Sequence, residues 1–587
     1  MEMTWDLEIL YKGYDDPKYI ADCNKLFELI EAIKNEKLDE ENIKETIEAH
    51  LNLDIEFSKI VGELFSYSNL RVSTNVNDYE ALAEMGKIRM SLQETVSSDV
   101  AFTKYLKDKD LDALALESPF IKEHLYKLKR NQESAKHMLS DAEEILASKL
   151  QMVGSNGWSQ LQGNLTSNLS VNLNGENYPL PVVRNMAFSN DATLRKEAYE
   201  AELKAYKGIE DAVAMALNNI KREVNIMMPL RGYKSGLEKT LEQSRMTEAT
   251  LNAMIEAIKE EAPRFRDYLR LKGKMLGHEN GIPFYDLFAP VGKLTKEYTV
   301  EEAKELVLSA FRSFSEPLYE LGREAFENRW IDFLPHEGKR GGAFCAGLGN
   351  HDQSRILTNF TGALVNIQTL AHELGHAYHG RVVQNNSPLN RSYPMPLAET
   401  ASIFCQTLMS KKMINEITDP LEKLTVVELS LHEDTQCVID ILSRFIFESK
   451  VFDTPLSKSL SAKDMCNMMI EAQDASYGDG LDPNHKHPYM WVCKSHYYSA
   501  GLNYYNFPYA FGLLYGKGLY KQYLKDKAGF VKNYDKMLMA TGCMSVEDVA
   551  LTMNIDITKK EFWIESLRFI EEEIDLFESL LNELNLI

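Results

Sequence analysis

The sequence predicts a mostly α-helical protein with a small β component. Over residues 17–150 apolar residues recur at intervals of three and four, as in Tyr79-Glu-Ala-Leu-Ala-Glu-Met-Gly-Lys-Ile-Arg-Met90, and this spacing is typical of amphipathic helices. Two stretches break the pattern, residues 154–184 and residues 339–362, where Gly, Asn and Ser collect around short alternating or apolar runs. Such runs bounded by turn residues are typical of short β-strands. We therefore expect long helices interrupted by two small strand pairs.

The first strand pair also gives a domain prediction. Leu169-Ser-Val-Asn-Leu173 alternates apolar and polar residues, so a hairpin is expected near residues 165–182. Helical periodicity resumes at about residue 189, where Ser189 or Asn190 is a suitable N-cap. Further helices are expected to about residue 280, over 300–326, over 397–475 and at the C-terminal end. We expect an N-terminal helical lobe over residues 1–185 and a second region over residues 186–587.

Composition and charge disfavour several classes of protein. Hydrophobic residues make up 44% and charged residues 26% of the 587-residue chain, as in soluble globular proteins. The formal net charge of −23 disfavours nucleic acid and anionic membranes as partners, because both require a positive surface. Seven scattered cysteines without a Cys-x-x-Cys pair disfavour a disulfide framework and a cysteine zinc site. Without a signal-like N-terminus or an apolar run of about 20 residues, the cytoplasm is the expected location.

A metal-binding pattern stands out in Thr369-Leu-Ala-His-Glu-Leu-Gly-His-Ala-Tyr-His379. His372 and His376 are four residues apart, so on an α-helix they share a face and lie about 6 Å apart along the axis. Two imidazoles so placed can both reach one Zn²⁺ at roughly 2.0–2.1 Å. Glu373 lies beside them, where a carboxylate can act as general base on a metal-bound water. The alternative is an ordinary helix face with two histidines and a solvated Glu.

A third protein ligand is required, because a catalytic zinc keeps its fourth position for water. His379 is seven residues from His372, or about 10.5 Å along the axis, so one ion cannot easily take both. The metzincin pattern fails as well, because it requires Gly where His379 stands and His where Val382 stands. The third ligand must therefore come from elsewhere in the chain.

Glu399 is the predicted third ligand. No Asp or Glu occurs between Glu373 and Glu399, and Glu399 opens a new apolar-periodic helix in Leu397-Ala-Glu-Thr-Ala-Ser-Ile-Phe404. A second helix packed against the first could turn this carboxylate onto the metal and give a His₂Glu site. Glu416 and Asp419 are weaker options, and Glu399 could instead serve only to stabilise a helix N-terminus.

The segment Ser495–Tyr509 is the densest downstream source of hydrogen-bond donors for an oxyanion. It is rich in tyrosine and interrupted by Gly501 and Pro508. Buried tyrosine hydroxyls need partners, and a substrate carbonyl could supply them. The alternative is an aromatic segment of the core.

These residues together resemble a known family. His372-Glu-Leu-Gly-His-Ala-Tyr-His379 followed by Leu397-Ala-Glu-Thr-Ala-Ser402 resembles the metal site of the thimet oligopeptidase/neurolysin superfamily, and the likeness to bacterial oligoendopeptidase F is closer. The resemblance covers nearly the whole chain. It includes Gly157-Trp-Ser-Gln-Leu161 through Arg195-Lys-Glu-Ala198, Gly342–Gly362, and His496-Tyr-Tyr through Tyr509.

The resemblance implies an elongated, two-lobed neurolysin-like zincin fold, with a deep central channel and a small β-sheet beside the metal helix. Residues 186–587 would be the zinc metallopeptidase catalytic region, with one Zn²⁺ per chain. Carried over by position, the zinc ligands are His372, His376 and Glu399, the general base is Glu373, and the groups that stabilise the transition state are His496, Tyr509 and Tyr505. Tyr498 and Tyr504 are alternatives to Tyr505, because the spacing inside this loop differs by about one residue from better-known relatives.

The function so implied is a zinc-dependent endopeptidase that hydrolyses internal bonds of short, unstructured oligopeptides. The strands near residues 342–362 could bind the peptide by backbone pairing, or could simply support the metal helix. One alternative is a metallo-exopeptidase of the carboxypeptidase type, although no residue marks a site for a free terminus. Another is a non-catalytic helical peptide-binding protein, although every zinc and base residue is present. The sequence does not indicate an oligomeric state.

Overall fold

The computed structural model describes residues 2–292 and 296–587. Helices dominate the described residues, as the sequence predicts, and no helix among them is long and apolar enough to cross a membrane. The described residues form two compact units, each built from three separate segments of the chain. The first unit comprises residues 2–137, 296–412 and 522–555, and the second comprises residues 138–292, 413–521 and 556–587.

The first half of the chain contains the following helices. They are α1 Pro17–Lys34, α2 Ile43–Thr74, α3 Tyr79–Gln93, α4 Val96–Tyr105, α5 Leu111–Glu117, α6 Pro119–Ala135, α7 Asp141–Val153, α8 Ser155–Ser167, α9 Leu180–Asn185, α10 Ala192–Tyr206, α11 Glu210–Leu230, α12 Gly236–Gln243 and α13 Glu248–Met275.

The second half continues in the same way. Its helices are α14 Val300–Phe314, α15 Glu316–Glu327, α16 Leu364–Val383, α17 Met395–Ala398, α18 Thr400–Glu416, α19 Pro420–Thr435, α20 Ile441–Phe452, α21 Ala462–Tyr477, α22 Phe507–Lys525, α23 Lys527–Ala540, α24 Val546–Leu551 and α25 Lys560–Glu583. A π-helical turn, Gln436–Asp440, joins α19 directly to α20.

Local sequence signals explain where many helices begin. The side chains of Ser140, Thr299 and Ser461 each accept a hydrogen bond from the backbone N–H three residues later, and the backbone N–H of each donates to the acidic side chain of that residue. Such capping boxes satisfy backbone N–H groups that the first helical turn leaves without partners. Pro17 and Pro119 occupy the first position of α1 and α6, where a missing N–H costs nothing.

The strands lie where the sequence predicts two strand pairs. Residues 155–167, which the sequence pattern places in a non-helical stretch, instead form helix α8, whose first N–H donates to Glu223 of α11 at 2.8 Å. Strands β1 Ser170–Leu173 and β2 Glu176–Pro179 form an antiparallel hairpin in the second unit, turning at Asn174-Gly175 with φ of 53° and 91°. Asn and Gly tolerate such positive φ values, which a two-residue hairpin turn requires. The boundary predicted near residue 185 lies inside the second unit, and the division into 1–185 and 186–587 stays a prediction.

A three-stranded sheet lies in the first unit. Strands β3 Ile331–Asp332, β4 Phe344–Leu348 and β5 Gln353–Leu357 form it in the order β3-β5-β4. The β4–β5 pair is antiparallel, as two predicted strands joined by a turn must be, whereas β3 pairs parallel to β5. Only β3, which is two residues long, is absent from the sequence prediction. Helix α16 packs against β4 and β5, so this small sheet supports the helix that carries the histidine motif.

Two aromatic and aliphatic cores stabilise the first unit around that helix. One joins α1 and α2 to the sheet through Tyr11, Tyr19, Leu64, Leu348 and Leu357, all buried. The other joins α18 to α14 and α23. The ring of Phe404 in α18 stacks on Phe530 of α23 with centroids 5.6 Å apart and packs edge-on against Phe314 of α14 at 4.9 Å. Burial of each such ring contributes roughly 1.5–3 kcal/mol. This packing anchors the first turns of α18, which begins directly after the predicted third ligand, Glu399.

The second unit contains several fully paired charges in its interior. The buried pairs are Lys221–Glu448, Lys272–Glu428, Lys517–Asp434 and Arg195–Asp286. Removing one partner of such a pair leaves an isolated buried charge, which is far more costly than the pair itself. None of the seven cysteines forms a disulfide bond in the described structure.

Candidate metal centre

Helix α16 positions the histidine motif as its four-residue spacing predicts. The ring centroids of His372 and His376 lie 4.9 Å apart, with their planes at 81°. The surrounding positions Leu370, Ala371 and Leu374 are buried, so the helix is anchored by its apolar face. Both imidazoles remain partly exposed on the other side, at 23% and 21% of their side-chain surface.

Glu399 lies at the junction between α17 and α18, not inside a continuous helix. Its φ of −89° and ψ of 6° end α17, and α18 begins at the next residue. Ser402, one turn further on, donates a hydrogen bond of 2.7 Å to Glu399 Oε2 and so fixes the carboxylate. The same oxygen lies 3.2 Å from His372 Nε2 and 3.4 Å from His376 Nε2.

These distances fit a zinc ion. A tetrahedral zinc with ligands at roughly 2.0–2.1 Å places neighbouring donor atoms about 3.3–3.4 Å apart. His372, His376 and Glu399 offer donor atoms that all lie within 4.8 Å of one another, and they form the one group of this kind in the described chain. Two nitrogens and one carboxylate oxygen also match the donor set of catalytic zinc. The three residues predicted as ligands are therefore brought together.

A glutamine orients the first histidine. His372 Nδ1 donates to Oε1 of Gln406 over 2.9 Å, which leaves Nε2 directed towards Glu399. Metal-bound histidines commonly use the second ring nitrogen in this way, and the partner fixes both tautomer and ring orientation. Gln406 lies on α18, seven residues after Glu399, so the helix that begins directly after the carboxylate supplies the support for the first histidine.

The electrostatics of the three residues favour a cation. Burial opposes ionisation of Glu399, but hydrogen bonds from His372 and His376 outweigh it and hold the pKa of Glu399 well below its usual range. Burial disfavours the charged form of His372, yet Glu399 outweighs burial and raises the pKa of His372. The carboxylate therefore has a positive charge beside it. A metal ion bound here would displace the imidazole proton and supply that positive charge instead.

Glu373 has the environment of a general base. It is 6% exposed, and its Oε2 has no hydrogen-bond partner among the described residues. Burial raises the pKa of Glu373, while His372 and His376 act in the opposite direction. A buried carboxylate with an unused acceptor is suited to take a proton from a water molecule brought against it.

The residues rejected or ranked lower as ligands have other roles. His379 is 0% exposed, bonds Thr541 Oγ1 through Nε2 at 2.9 Å and stacks on Tyr393 at 4.1 Å, so it belongs to the core. Asp419 caps α19 by accepting from the backbone of Glu422. Neither residue belongs to the metal-ligand group of the described chain.

Comparison with known proteins decides the family. A family model described as Peptidase family M3 matches residues 185–569, which is most of the chain. The chain belongs to peptidase family M3. A second model, described as Oligopeptidase F, matches residues 104–170 on the N-terminal side.

Relatives of this M3 peptidase agree over nearly its full length. It is 24% identical over 601 residues to Oligopeptidase PepF of Bacillus subtilis, covering 99% of this chain and 87% of that protein. The crystal structure of a candidate peptidase from Chlamydophila abortus matches with a TM-score of 0.85 and 21% identity, covering 98% of both chains. That of oligoendopeptidase-F from Enterococcus faecium matches with a TM-score of 0.70 and 17% identity, covering 96% of this chain and 99% of the other.

These findings confirm the predicted family, fold class and enzyme class. The M3 peptidase is a metalloendopeptidase of the oligoendopeptidase F type. The structural matches confirm the mostly helical fold with small sheets.

The aromatic loop of this M3 peptidase, residues 495–509, lies in the second unit. The ring of His496 stacks on Tyr505 with centroids 4.5 Å apart and planes at 11°, and Tyr505 meets Tyr509 edge-on at 5.8 Å. Burial lowers the pKa of His496, and its Nδ1 has no hydrogen-bond partner among the described residues. The three residues predicted to stabilise the transition state therefore lie in one cluster.

The two alternative tyrosines occupy different places. The hydroxyl of Tyr498 is buried and donates to the carbonyl oxygen of Trp491 at 3.0 Å. Tyr504 is buried, and its ring stacks on Phe452 with centroids 5.2 Å apart. Its φ of 50° places its backbone in the left-handed region. Of the three candidates, Tyr505 is the one that contacts both His496 and Tyr509.

Sequence reasoning missed the residues that hold the site together. Ser402 and Gln406 follow Glu399 by three and seven residues, the spacing at which side chains share a helix face, and this signal could have found them. Glu448 is different, because it accepts from the backbone N–H of Tyr504 at 3.1 Å across more than fifty residues of chain. No local pattern marks such a contact.

Proposed function

We propose that the chain is a zinc-dependent endopeptidase that cleaves internal bonds of short, unstructured oligopeptides. One Zn²⁺ per chain would be held by His372, His376 and Glu399. The observation that carries this proposal is the separation of 3.2 and 3.4 Å between Glu399 Oε2 and the two imidazole nitrogens. Such spacing suits a cation held by the three groups, and imidazole with carboxylate suits zinc.

The chain's own residues would share the chemistry as follows. A zinc ion held there supplies Lewis-acid activation of a water molecule and of the scissile carbonyl group. Glu373 takes the proton from the attacking water and later delivers it to the leaving amine. Gln406 and Ser402 keep His372 and Glu399 in their binding orientations.

His496, Tyr505 and Tyr509 are proposed to donate hydrogen bonds to the oxyanion of the tetrahedral intermediate. Support comes from the stacking of His496 on Tyr505 and from the contact of Tyr505 with Tyr509, which hold the three rings as a group. Loss of one oxyanion donor usually lowers kcat by about 10²–10³.

Strand β4 is the proposed place for the peptide backbone. It is an edge strand, because in the order β3-β5-β4 it pairs with β5 alone among the described strands. Strand β4 also packs against α16, the helix that carries Glu373. Burial, and secondarily the negative charge of Glu373, raise the pKa of the Cys345 thiol in this strand. A peptide added to this edge would pair through its backbone, so many side-chain sequences would be accepted.

The decisive experiment combines metal analysis with peptide cleavage. Zinc content is measured first, and peptides blocked at both ends, of about 5 to 30 residues, are then digested and their products sequenced. We expect one zinc per chain and internal cleavage that falls with length. Cleavage only of peptides with a free terminus would instead indicate an exopeptidase, and digestion of intact folded proteins would refute the preference for short peptides.

The base assignment needs a matched pair of variants. Glu373→Gln is expected to abolish cleavage while zinc stays bound, because the ligands are unchanged. Glu56→Gln, on the surface of the first unit with its side chain 54% exposed, is the control and should retain full activity. A fully active Glu373→Gln would overturn the assignment. A cytoplasmic location and the lack of nucleic-acid and membrane partners stay predictions.

A further inference from the structure

The second unit contains a cavity of about 470 Å³. Its apolar wall includes Phe284, Tyr285, Phe288, Leu180 and Val183. Ligand sites in proteins commonly enclose about 300–1,000 Å³ and combine such walls with a few polar groups. The cavity therefore has the size and lining of a site for a small organic molecule.

The charged groups in this cavity do not balance. Arg184 Nε lies 3.4 Å from Glu202 Oε1, and Arg195 donates to Asp286 at 2.7 Å. Lys494 also lines the cavity, and no carboxylate oxygen lies within ion-pair distance of its ammonium group among the described residues. A partly buried ammonium without a counter-ion is costly. Lys494 is therefore the one basic residue of the described lining without a carboxylate partner.

The acidic group that acts electrostatically on Lys494, Asp440, already has other partners. Asp440 accepts hydrogen bonds from the guanidinium of Arg444 and, at 3.2 Å, from the hydroxyl of Tyr477. Burial, followed by the positive charge of Arg444, lowers the pKa of Lys494, and Asp440 offsets this only in part. An added anion would stabilise the charged form of Lys494 against both its burial and the repulsion from Arg444.

A buried histidine also lacks partners on the cavity wall. His487 is 1% exposed, and its Nδ1 has no hydrogen-bond partner among the described residues. Its Nε2 lies 3.5 Å from Glu202 Oε1, too far for a well-formed hydrogen bond. The π-helical turn Gln436–Asp440 supplies two further lining residues, and such turns occur frequently at functional sites.

We propose that this cavity binds an organic carboxylate with an aromatic or branched apolar body, with its carboxylate on Lys494 and Arg184. The apolar wall would bury the body, and the anion would supply the missing counter-charge. Charge-assisted hydrogen bonds of this kind are stronger than neutral ones. The C-terminal residue of a short peptide and a free aromatic acid share this chemistry.

The cavity is separate from the groups proposed for catalysis. None of the metal-centre residues lines it, and neither does His496, Tyr505 or Tyr509. The peptide as a source of the carboxylate rests on the proposed peptidase function, whereas the binding of an apolar carboxylate does not.

The test uses the zinc-loaded full chain with Glu373→Gln, so that nothing is cleaved during titration. Acetyl-glycyl-phenylalanine, its C-terminal amide and 3-phenylpropionate are titrated by calorimetry, with saturating acetohydroxamate present to occupy the metal centre. We expect at least one free acid to bind and the amide to bind about 10- to 100-fold more weakly, as loss of a charged hydrogen bond predicts. Whether the peptide acid or 3-phenylpropionate binds better identifies the source.

A matched pair of lysine variants completes the test. Lys494→Met should weaken binding of the acid by about tenfold or more and remove the preference for acid over amide. Lys463→Met, at an exposed lysine of the same unit that does not line the cavity, should change neither. The proposal is overturned if no carboxylate binds, if acid and amide bind equally, or if a folded Lys494→Met binds the acid unchanged. Acid binding without cleavage of blocked peptides would defeat the proposed function alone.

Discussion

Gly375 lies directly against the backbone of Ala401, at the crossing of α16 and α18. A Cβ placed on Gly375 would lie 2.6 Å from the carbonyl oxygen of Ala401 and 2.7 Å from the Cα of Ser402. Real Cβ atoms do not approach backbone so closely, so glycine is required here. The close approach brings Glu399 to the face that carries His372 and His376.

Gly375→Ala is therefore expected to damage the metal centre. The added methyl group must push α18 away from α16, and Glu399 moves with it. We expect zinc affinity to fall by at least tenfold and peptide cleavage to fall with it, since ligand geometry is exacting. Competitive titration with a zinc chelator measures the affinity.

Gly380→Ala on the same helix is the matched control. The nearest atom to a Cβ there is Ser354 Oγ at 4.0 Å, so the site has room. Because alanine favours a helix over glycine by about 1 kcal/mol, this variant should bind zinc normally and unfold at a slightly higher temperature. Normal zinc affinity in Gly375→Ala would contradict the structural argument.

Gln406 gives a prediction about the outer part of the metal centre. Gln406→Leu removes the acceptor for His372 Nδ1, whereas Gln406→Glu keeps an oxygen at the same position. Loss of such a partner typically lowers metal affinity by about 10- to 100-fold. We expect that loss for the Leu variant and a much smaller one for the Glu variant, measured by the same chelator titration. Equal affinities in both variants would show that the 2.9 Å contact does not orient the ring.

The sequence predicts those parts of the site that depend on local spacing, and it does not predict those that depend on contacts between distant residues. His372, Glu373 and His376 come from one helical spacing, and Glu399 follows from the absence of other acids up to that point. The break between α17 and α18 at Glu399 does not follow from the sequence pattern, and the residue at this break contacts His372, which is 27 positions away in the chain.

The fold shows the same limit. The hairpin β1–β2 is local, and its Asn174-Gly175 turn marks it in the sequence. Strand β3 is two residues long and pairs with β5 more than twenty residues away, so no periodicity can develop. The grouping of three distant segments into each unit is likewise set by packing between segments.

His379 predicts a specific dependence of stability on pH. Burial, and secondarily His376, lower the pKa of this histidine from 6.5 to about 3 in the folded protein. The unfolded chain therefore binds a proton that the folded protein does not, and folding is destabilised as the pH falls below 6.5. At pH 5 this proton costs about 2 kcal/mol of unfolding free energy relative to pH 7.

His379→Phe should remove that dependence. A phenyl ring can still stack on Tyr393, and Thr541 still donates to the carbonyl oxygen of Leu538 at 2.6 Å, so no buried donor is left unpaired. Urea unfolding at pH 7 and pH 5 measures the difference for both proteins. We expect the wild type to lose about 2 kcal/mol more than the variant between these pH values, and equal losses would place the pKa of His379 near its ordinary value.

Tyr509→Phe tests the proposed oxyanion donor. The ring and its contact with Tyr505 are retained, and only the hydroxyl is lost. We expect kcat to fall by about 10²–10³ with little change in KM, because the hydrogen bond forms only in the transition state. Tyr498→Phe is the control, since that hydroxyl donates to Trp491 in the core, and it should lower stability but not kcat. Similar kcat values for both variants would remove Tyr509 from the mechanism.

The buried pair Lys221–Glu448 gives the last prediction, about the backbone beside Tyr505. Glu448 Oε1 accepts from Lys221 Nζ at 2.7 Å and from the backbone N–H of Tyr504 at 3.1 Å. The backbone of Tyr504 has a φ of 50°. Lys221→Met leaves an unpaired buried carboxylate and should cost about 3–5 kcal/mol of unfolding free energy.

The double variant Lys221→Met with Glu448→Gln should recover much of that loss, because it buries no charge and keeps an acceptor for Tyr504. It should also recover kcat, if the Glu448 contact holds Tyr504 and thereby Tyr505 in place. Urea unfolding gives the first quantity, and cleavage of a blocked peptide gives the second. A double variant that is stable but as slow as the single one would mean that the charge of Glu448 matters beyond its hydrogen bond to Tyr504.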